Sequence, residues 1–359
     1  MSVERTPKTR FVVIGGYLGA GKTTLNVALA KRLKAQGRNV AIITNDQGHA
    51  LVDTEYARSS GADVREILGG CFCSTFPEFL KSARSLVQVS RPDVILAEPI
   101  GTSTNILSSV VDPLRKQYPE EFSVSPFMVV VDGTRAAGLS TDKKMIPAHQ
   151  VKEAEIVLLS KIDLLDDEGK RKAQEAIAAL VPDAMIVPYS SRSGEGIDKI
   201  LELVLSTQLS RKDLAGEDRR RFDAEKSSMS WFSSTATIRP KEKIDAYGLT
   251  TSILRSVAMS FPTDDIAHVK VTILSEQAGA KMSLVGDSAQ VDGLRGGRYF
   301  NDSAHLVVNA RVTAPSQRLG EVMRTIVSKL SDDMPLELGE ITESCFSPQP
   351  ETPTFIAGL

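Results

Sequence analysis

The segment Gly16-Tyr17-Leu18-Gly19-Ala20-Gly21-Lys22-Thr23 constrains this chain more than any other. It fits the phosphate-loop pattern G-x-x-x-x-G-K-[ST] and lies between an apolar strand pattern and a helical one. Gly16, Gly19, Ala20 and Gly21 have little or no side chain, so their backbone N–H groups can turn inward around a β-phosphate. Lys22 reaches the β and γ oxygens, Thr23 ligates Mg²⁺, and the helix N-terminus adds the positive end of its dipole. Thr24, next along the helix, completes the expected set of phosphate-binding residues. A plain glycine turn between strand and helix is the bland alternative, but it has no need of Lys and Thr at these positions.

Such a loop belongs in a layered α/β fold, and residues 11–205 alternate strand and helix patterns accordingly. Strands are expected at 11–14, 40–44, 64–67, 94–97, 127–131, 156–159 and 185–187, most of them continuous apolar runs, as strands buried on both faces must be. A helix over 22–36 presents Leu25, Ala28, Leu29 and Leu33 on one face and stops at Gly37. The expected fold class is an α/β P-loop NTPase with a mostly parallel sheet and helices on both faces, followed by a smaller α+β domain. At 359 residues the chain can bury two cores. The boundaries are expected at 1–210 for the first domain, 211–230 for a charged linker, 231–346 for the second domain and 347–359 for a loose tail. Eleven of the sixteen residues in 211–226 are charged, too polar a stretch to order itself by burial. In the second domain strands are expected at 231–238, 269–274, 281–285, 306–312 and 336–341, helices at 243–259 and 317–330, and a flexible basic loop at 293–299.

The γ-phosphate side of a phosphate loop needs an acid at the C-terminal end of a neighbouring strand, and Glu98 stands there, a second candidate ligand for Mg²⁺ beside Thr23. Gly101, three residues on, is placed for its N–H to meet the γ-phosphate. Asp93 is a rival acid, but it lies at the opposite end of that strand, about 16 Å away at ~3.3 Å per residue, and is read as a capping or surface residue. For the base, Ser160-Lys161-Ile162-Asp163 follows a strand and nearly spells N-K-x-D. A carboxylate at Asp163 accepts from guanine N1–H and the 2-amino group, which adenine lacks, while the Lys161 stem covers the ring. Ser191, in Ser190-Ser191-Arg192, sits where a loop contacts the base oxygen. An ordinary strand exit is the alternative.

Leu68-Gly69-Gly70-Cys71-Phe72-Cys73-Ser74 holds two of only three cysteines, too few for a disulfide framework. In an extended segment, Cys71 and Cys73 point to the same side and can share one soft divalent ion such as Zn²⁺ or Co²⁺. Asp46 and His49, in the loop after the second strand, are candidate further ligands, and Gln47 beside them is a candidate for positioning water, as is Glu98. Two buried free thiols remain the alternative. His268 and His305 lie in strand patterns and read as structural; His149, in a Pro-containing loop, has no visible ligand partner. The formal net charge of −2 gives no pull toward nucleic acid or anionic membrane, and the apolar run at 11–14 is too short for a signal core or a span, so a cytoplasmic protein is expected.

In this order, G-G-Y-L-G-A-G-K-T-T, T-N-D-Q-G, G-G-C-F-C, E-P-I-G, V-V-V-D-G and S-K-I-D strongly resemble the CobW-like P-loop GTPases, whose relatives include UreG, HypB and the nitrile hydratase activators. The resemblance covers roughly residues 10–205. It implies a GTP-hydrolysing metallochaperone or metalloenzyme activator, holding Zn²⁺ or Co²⁺ at the cysteine motif under control of GTP and Mg²⁺. Its partners would be GTP or GDP, a client metalloprotein or cobalamin-related protein, and a second copy of the chain. Two departures bear on this. Ser74 stands where many members have a third cysteine, and Ser160 replaces the Asn that normally braces the loops. The C-terminal part shows little of the family's usual pattern, which implies a different client. A GTP-gated, non-catalytic partner of a corrinoid or nitrile hydratase-type enzyme and a P-loop ATP-dependent kinase are the rival functions.

Overall fold

The structure is a computed structural model that describes residues 8–46, 60–68, 70–139, 145–218 and 220–348, with the backbone alone for Asp46 and Leu68. Among the described residues the chain divides into two compact units, the first ending at Phe222 and the second beginning at Asp223.

The first unit runs β1 (Thr9–Gly16), α1 (Lys22–Ala35), β2 (Val40–Asp46), β3 (Asp63–Leu68), α2 (Phe76–Ser90), β4 (Val94–Glu98), a π-helical turn (Leu107–Val111) into α3 (Asp112–Gln117), β5 (Phe122–Val124), β6 (Met128–Asp132), α4 (Gly133–Ala136), α5 (Met145–Glu153), β7 (Ile156–Ser160), a 3-10 turn (Ile162–Leu164), α6 (Asp167–Leu180), β8 (Met185–Pro188) and α7 (Ile197–Leu205). All seven expected strands form. Their order is β3-β2-β4-β1-β6-β7-β8, all parallel. The eighth, β5, pairs with the first half of β1 through Thr9–Phe11, and β6 takes over at Ile14–Gly16. Its three residues are too short to announce themselves as a pattern. On one face of the sheet, Leu25, Leu29 and Leu33 of α1 pack with Ile197, Ile200 and Val204 of α7. On the other, Phe11 meets Phe79 of α2 and Phe122 edge-on at 5.6 and 5.2 Å. The central strands are buried throughout, so hydrophobic burial on both faces fixes the sheet, and the sheet fixes where its C-terminal ends present their loops.

The expected linker 211–230 is not one element. Residues 211–218 lie on the first unit, where Arg211 N and Lys212 N donate to Glu155 Oε1 at 2.7 and 3.0 Å and Asp213 accepts from Arg115 and Lys116. Helix α8 (Arg220–Ser228) and the start of β9 (Met229–Pro240) take up the remainder. Backbone bonds to Glu155 tie residues 211 and 212 to the first unit, and Phe222 of α8 is buried against the His149 ring at 4.8 Å.

The second unit has a six-stranded antiparallel sheet in the order β13-β12-β11-β15-β9-β16, comprising β11 (Ile266–Leu274), β12 (Ala278–Val285), β13 (Ser288–Gly296), β15 (Ala304–Thr313) and β16 (Leu336–Phe346), with a separate small pairing of β10 (Ile244–Asp245) and β14 (Tyr299–Phe300). Alternate residues, such as Val269, Val271 and Ile273 of β11, form a core with Leu249 and Ile253 of α9 (Ala246–Ser260) and Leu319 and Met323 of α10 (Ser316–Asp333). The stretch 293–299, expected as a flexible loop, is instead the end of edge strand β13 and the start of β14, with Arg298 bonded to Asp245 at 2.8 Å. Its glycines and exposed side chains hid the strand period. His268 is buried on β11 and His305 exposed on β15. The tail from residue 349 lies outside the described residues. No described helix is long and apolar enough to cross a membrane.

Candidate nucleotide and thiol site

The phosphate loop leaves β1 at Gly16, whose φ of 137° and close approach to β6 admit no side chain: a Cβ there would lie 2.4 Å from Val130 O. Gly19 (φ 74°) and Gly21 (φ 101°) continue the turn, Ala20 N donates to Tyr17 O at 3.2 Å, and Gly21 caps α1. Lys22, the first residue of α1, is buried and donates to Gly16 O at 2.8 Å and Tyr17 O at 3.3 Å, so its ammonium lies across the loop. Thr24 is half-buried one turn position further on.

Thr23 and Glu98 come together. Thr23 Oγ1 donates to Glu98 Oε1 at 2.8 Å, and Asn26 Nδ2 donates to Glu98 Oε2 at 3.1 Å, all three buried. Two hard oxygen donors on one spot beside a phosphate loop suit Mg²⁺. Asn26 is a site residue the sequence reading missed. Its signal was a polar residue three positions after Thr23 on a helix face that is otherwise apolar. Asp93, at the far end of β4, accepts from Asn39 N at 2.8 Å and braces the β2 entry, away from the phosphate loop.

Past Glu98, Gly101 packs on the phosphate loop so closely that a Cβ would meet Leu18 Cδ2 at 2.7 Å and Leu18 N at 3.0 Å. Gln150 Nε2 of α5 holds the carbonyls of Gly101 and Ser103 at 2.9 and 2.7 Å. The far end of this loop is also clamped from α5, since Glu153 accepts from Asn105 N at 3.0 Å and Leu107 N at 2.9 Å, and His149 Nε2 lies 2.9 Å from Asn105 Oδ1. His149 therefore sits on a helix and not in a loop, because Pro147 falls in the first turn, where its missing N–H costs nothing. Burial holds its pKa below the ordinary imidazole range against the pull of Glu217.

On the base side Ser160 does the bracing expected of Asn. Its hydroxyl lies 2.7 Å from Ala20 O and 3.1 Å from Val131 O, tying the phosphate loop to β6 and β7. Lys161 adopts left-handed backbone (φ 59°), and its Nζ is fixed on Asp132 Oδ2 at 2.8 Å. Asp132 also caps α4 through Thr134 N at 3.0 Å and was not singled out as a site residue from sequence. Asp163 is exposed in the 3-10 turn. Ser190 Oγ accepts from Arg192 N and Ser193 N at 3.2 and 3.1 Å, which shapes the loop carrying Ser191.

The cysteine segment is a turn and not the extended segment expected. Ser74 N and Thr75 N both donate to Cys71 O at 2.9 Å, and the hydroxyls of Ser74 and Thr75 bond the same carbonyl at 3.0 and 2.9 Å. These local bonds outcompete extension, and the turn feeds directly into α2. Cys71 and Cys73 are buried (6% and 2% exposed) and are hydrogen-bonding neighbours even so. Phe72 between them stacks on Phe79 at 4.4 Å and anchors the turn in the core. Asn45, at the end of β2, donates to Ile67 O and Gly70 O at 3.1 and 2.7 Å and accepts from Phe72 N at 3.0 Å, so one amide sets the shape of the whole turn. Burial pushes the Cys71 thiol well above its ordinary range, the Cys73 neighbour adds to this, and a Ser103 hydroxyl 3.1 Å away opposes it. Both thiols must lose protons to become ligands, so metal uptake at such a pair releases protons. Among the described residues no group of three His, Cys, Asp or Glu is arranged so that it could hold a metal ion. Gln47 and His49 and the side chain of Asp46 lie outside the described residues.

With this geometry in place, the family model for the CobW/HypB/UreG nucleotide-binding domain matches residues 10–188. The chain belongs to the CobW/HypB/UreG family. It is 29% identical over 246 residues to the zinc chaperone CobW of Pseudomonas aeruginosa, a match covering 58% of this chain and 64% of that protein. It is 27% identical over 203 residues to the urease accessory protein UreG 2 of a Bradyrhizobium species, covering 56% of this chain and 92% of the relative. The Zn(II)-bound YjiA GTPase of E. coli aligns with a TM-score of 0.40 at 16% identity, over 90% of this chain and 99% of that one. The family match ends at residue 188, before the second unit begins.

Proposed function

We propose that this chain is a cytoplasmic GTPase that holds a divalent metal ion, Zn²⁺ or Co²⁺, as cargo and delivers it to a client metalloprotein or cobalamin-related protein. One observation carries the reading: the loop following Glu98 and the cysteine turn touch directly, at Ser103 and Cys71. The backbone of residues 16–21 and Lys22 cradle the phosphates, and Asp163 and Lys161 select guanine, with Ser191 close to the base. Thr23 and Glu98 would hold Mg²⁺, which would neutralise charge on the β and γ oxygens. Gly101 N–H meets the γ-phosphate, and Glu98 or Gln47 orients the attacking water. Cys71 and Cys73 are the cargo ligands, with Asp46 and His49 proposed to complete the set. Without a strong water-positioning base, hydrolysis is slow until metal or client binds.

Zinc titration of the wild type and of Cys71→Ser, each with a non-hydrolysable GTP analogue and with GDP, tests this. The wild type is expected to bind zinc at one stoichiometric site whose affinity depends on the nucleotide, and Cys71→Ser to lose it. Equal stoichiometric binding by the variant would remove the thiols from the cargo site and overturn the proposal.

A further inference from the structure

Residues 100–105 carry more structure than contact with a phosphate requires. Ser103 N donates to Ile100 O at 2.9 Å and closes a four-residue turn with Gly101 and Thr102 at its centre. Gln150 Nε2 bridges the carbonyls of Gly101 and Ser103, so the two residues are tied into one body. That body rests on the phosphate loop at Leu18 at one end. At the other, Ser103 Oγ lies 3.1 Å from Cys71 Sγ, with both residues buried. The bonds from Asn45, Ser74 and Thr75 run to backbone atoms of the cysteine turn and its approach and set its shape. Ser103 reaches the sulfur itself.

We propose that Ser103 is the positioning residue that couples nucleotide state to the thiol site, its hydroxyl carrying the movement of the Gly101 turn to Cys71. This rests on the reading that Gly101 meets the γ-phosphate and Cys71 holds the cargo. A γ-phosphate that draws in the Gly101 N–H draws the whole turn with it, because the Ile100 bond and the Gln150 bridge leave little freedom between residues 101 and 103. A shift of about 1 Å takes a contact of this length out of hydrogen-bonding range. The sulfur is then released from Ser103 in one nucleotide state and engaged in the other, which gives a metal ion different access to it. Two packed arrangements of a short turn are a small change with a discrete outcome.

Two readouts test the relay in the full chain. One is zinc affinity, by competition with a chromophoric chelator. The other, free of metal, is the alkylation rate of Cys71, mapped by mass spectrometry. Both are measured with a GTP analogue and with GDP, for wild type, Ser103→Ala and Ser103→Thr. The wild type is expected to show a ratio of about fivefold or more between nucleotide states in both readouts. Ser103→Ala is expected to bring both ratios close to one while its GTP-analogue affinity and melting temperature hold, and Ser103→Thr, which keeps the hydroxyl, to restore them. A Ser103→Ala protein that keeps the wild-type ratios overturns the relay and leaves the proposed function standing. A wild type that binds both guanine nucleotide and zinc with ratios of one overturns the relay and the switching together. A wild type that binds neither removes the functional reading itself, and the relay with it.

Discussion

Lys22→Ala is expected to lower GTP affinity and turnover together, by about 100-fold or more, while the melting transition stays in place. Lys22 opens α1, and its ammonium lies across the phosphate loop, 2.8 Å from Gly16 O and 3.3 Å from Tyr17 O. The loop's shape does not depend on those two bonds. Gly16, Gly19 and Gly21 hold it through their backbone angles, and Gly16 is pressed against β6. What the substitution removes is a full positive charge placed to meet the β and γ oxygens, so binding weakens, and the transition state, in which charge on those oxygens shifts, loses more than the ground state. Thr23→Ala or Glu98→Gln is a less clean test, since both disturb the buried network that includes Asn26. Binding of a fluorescent GTP analogue and phosphate release measure the effect. An affinity within a few-fold of wild type would mean that this loop is not the phosphate site.

Asp163→Ala is expected to abolish the preference for GTP over ATP. Asp163 is exposed in the 3-10 turn, and the two hydrogen bonds proposed between its carboxylate and guanine would each be worth about 1.5–3 kcal/mol, so the GTP affinity is expected to fall by about 100-fold or more while the ATP affinity stays where it was. The platform for the base survives the substitution. Lys161 remains fixed on Asp132, and Ser160 still bonds to Ala20 O, so the loop does not collapse. Competition between GTP and ATP for wild type and variant reads this out. Equal competition by ATP at the wild type would favour an ATP-dependent kinase.

These two predictions concern residues that were legible from sequence, and the reason is local. The phosphate loop and the 160–163 motif are short contiguous segments whose chemistry needs particular residue types at fixed spacing. The central strands β1, β4, β6 and β7 were legible because both of their faces are buried, which makes them continuous apolar runs. Elsewhere the determining contacts were distant. Asn45 is defined by Gly70 and Phe72, and Gln150 by Gly101 and Ser103, with nothing local to mark either, and the local sign of Asn26, a polar residue on a buried helix face, does not name Glu98 as its partner. The cysteine pair was found, but its conformation was not, because four bonds to Cys71 O from Ser74 and Thr75 turn a segment that spacing alone reads as extended. Helix α5 was obscured by Pro147, and β13 by an exposed, glycine-bearing edge with no apolar period.

Central to the account is a free-energy coupling between guanine nucleotide and a thiol-bound metal ion, and such coupling is reciprocal by thermodynamic necessity. The affinity of the wild type for a non-hydrolysable GTP analogue and for GDP, each measured with and without saturating Zn²⁺, tests it most directly. The account predicts that zinc changes the ratio of the two nucleotide affinities, by the same factor as the nucleotide changes zinc affinity, and that the change disappears in Cys71→Ser. A ratio unmoved by zinc in the wild type would contradict it.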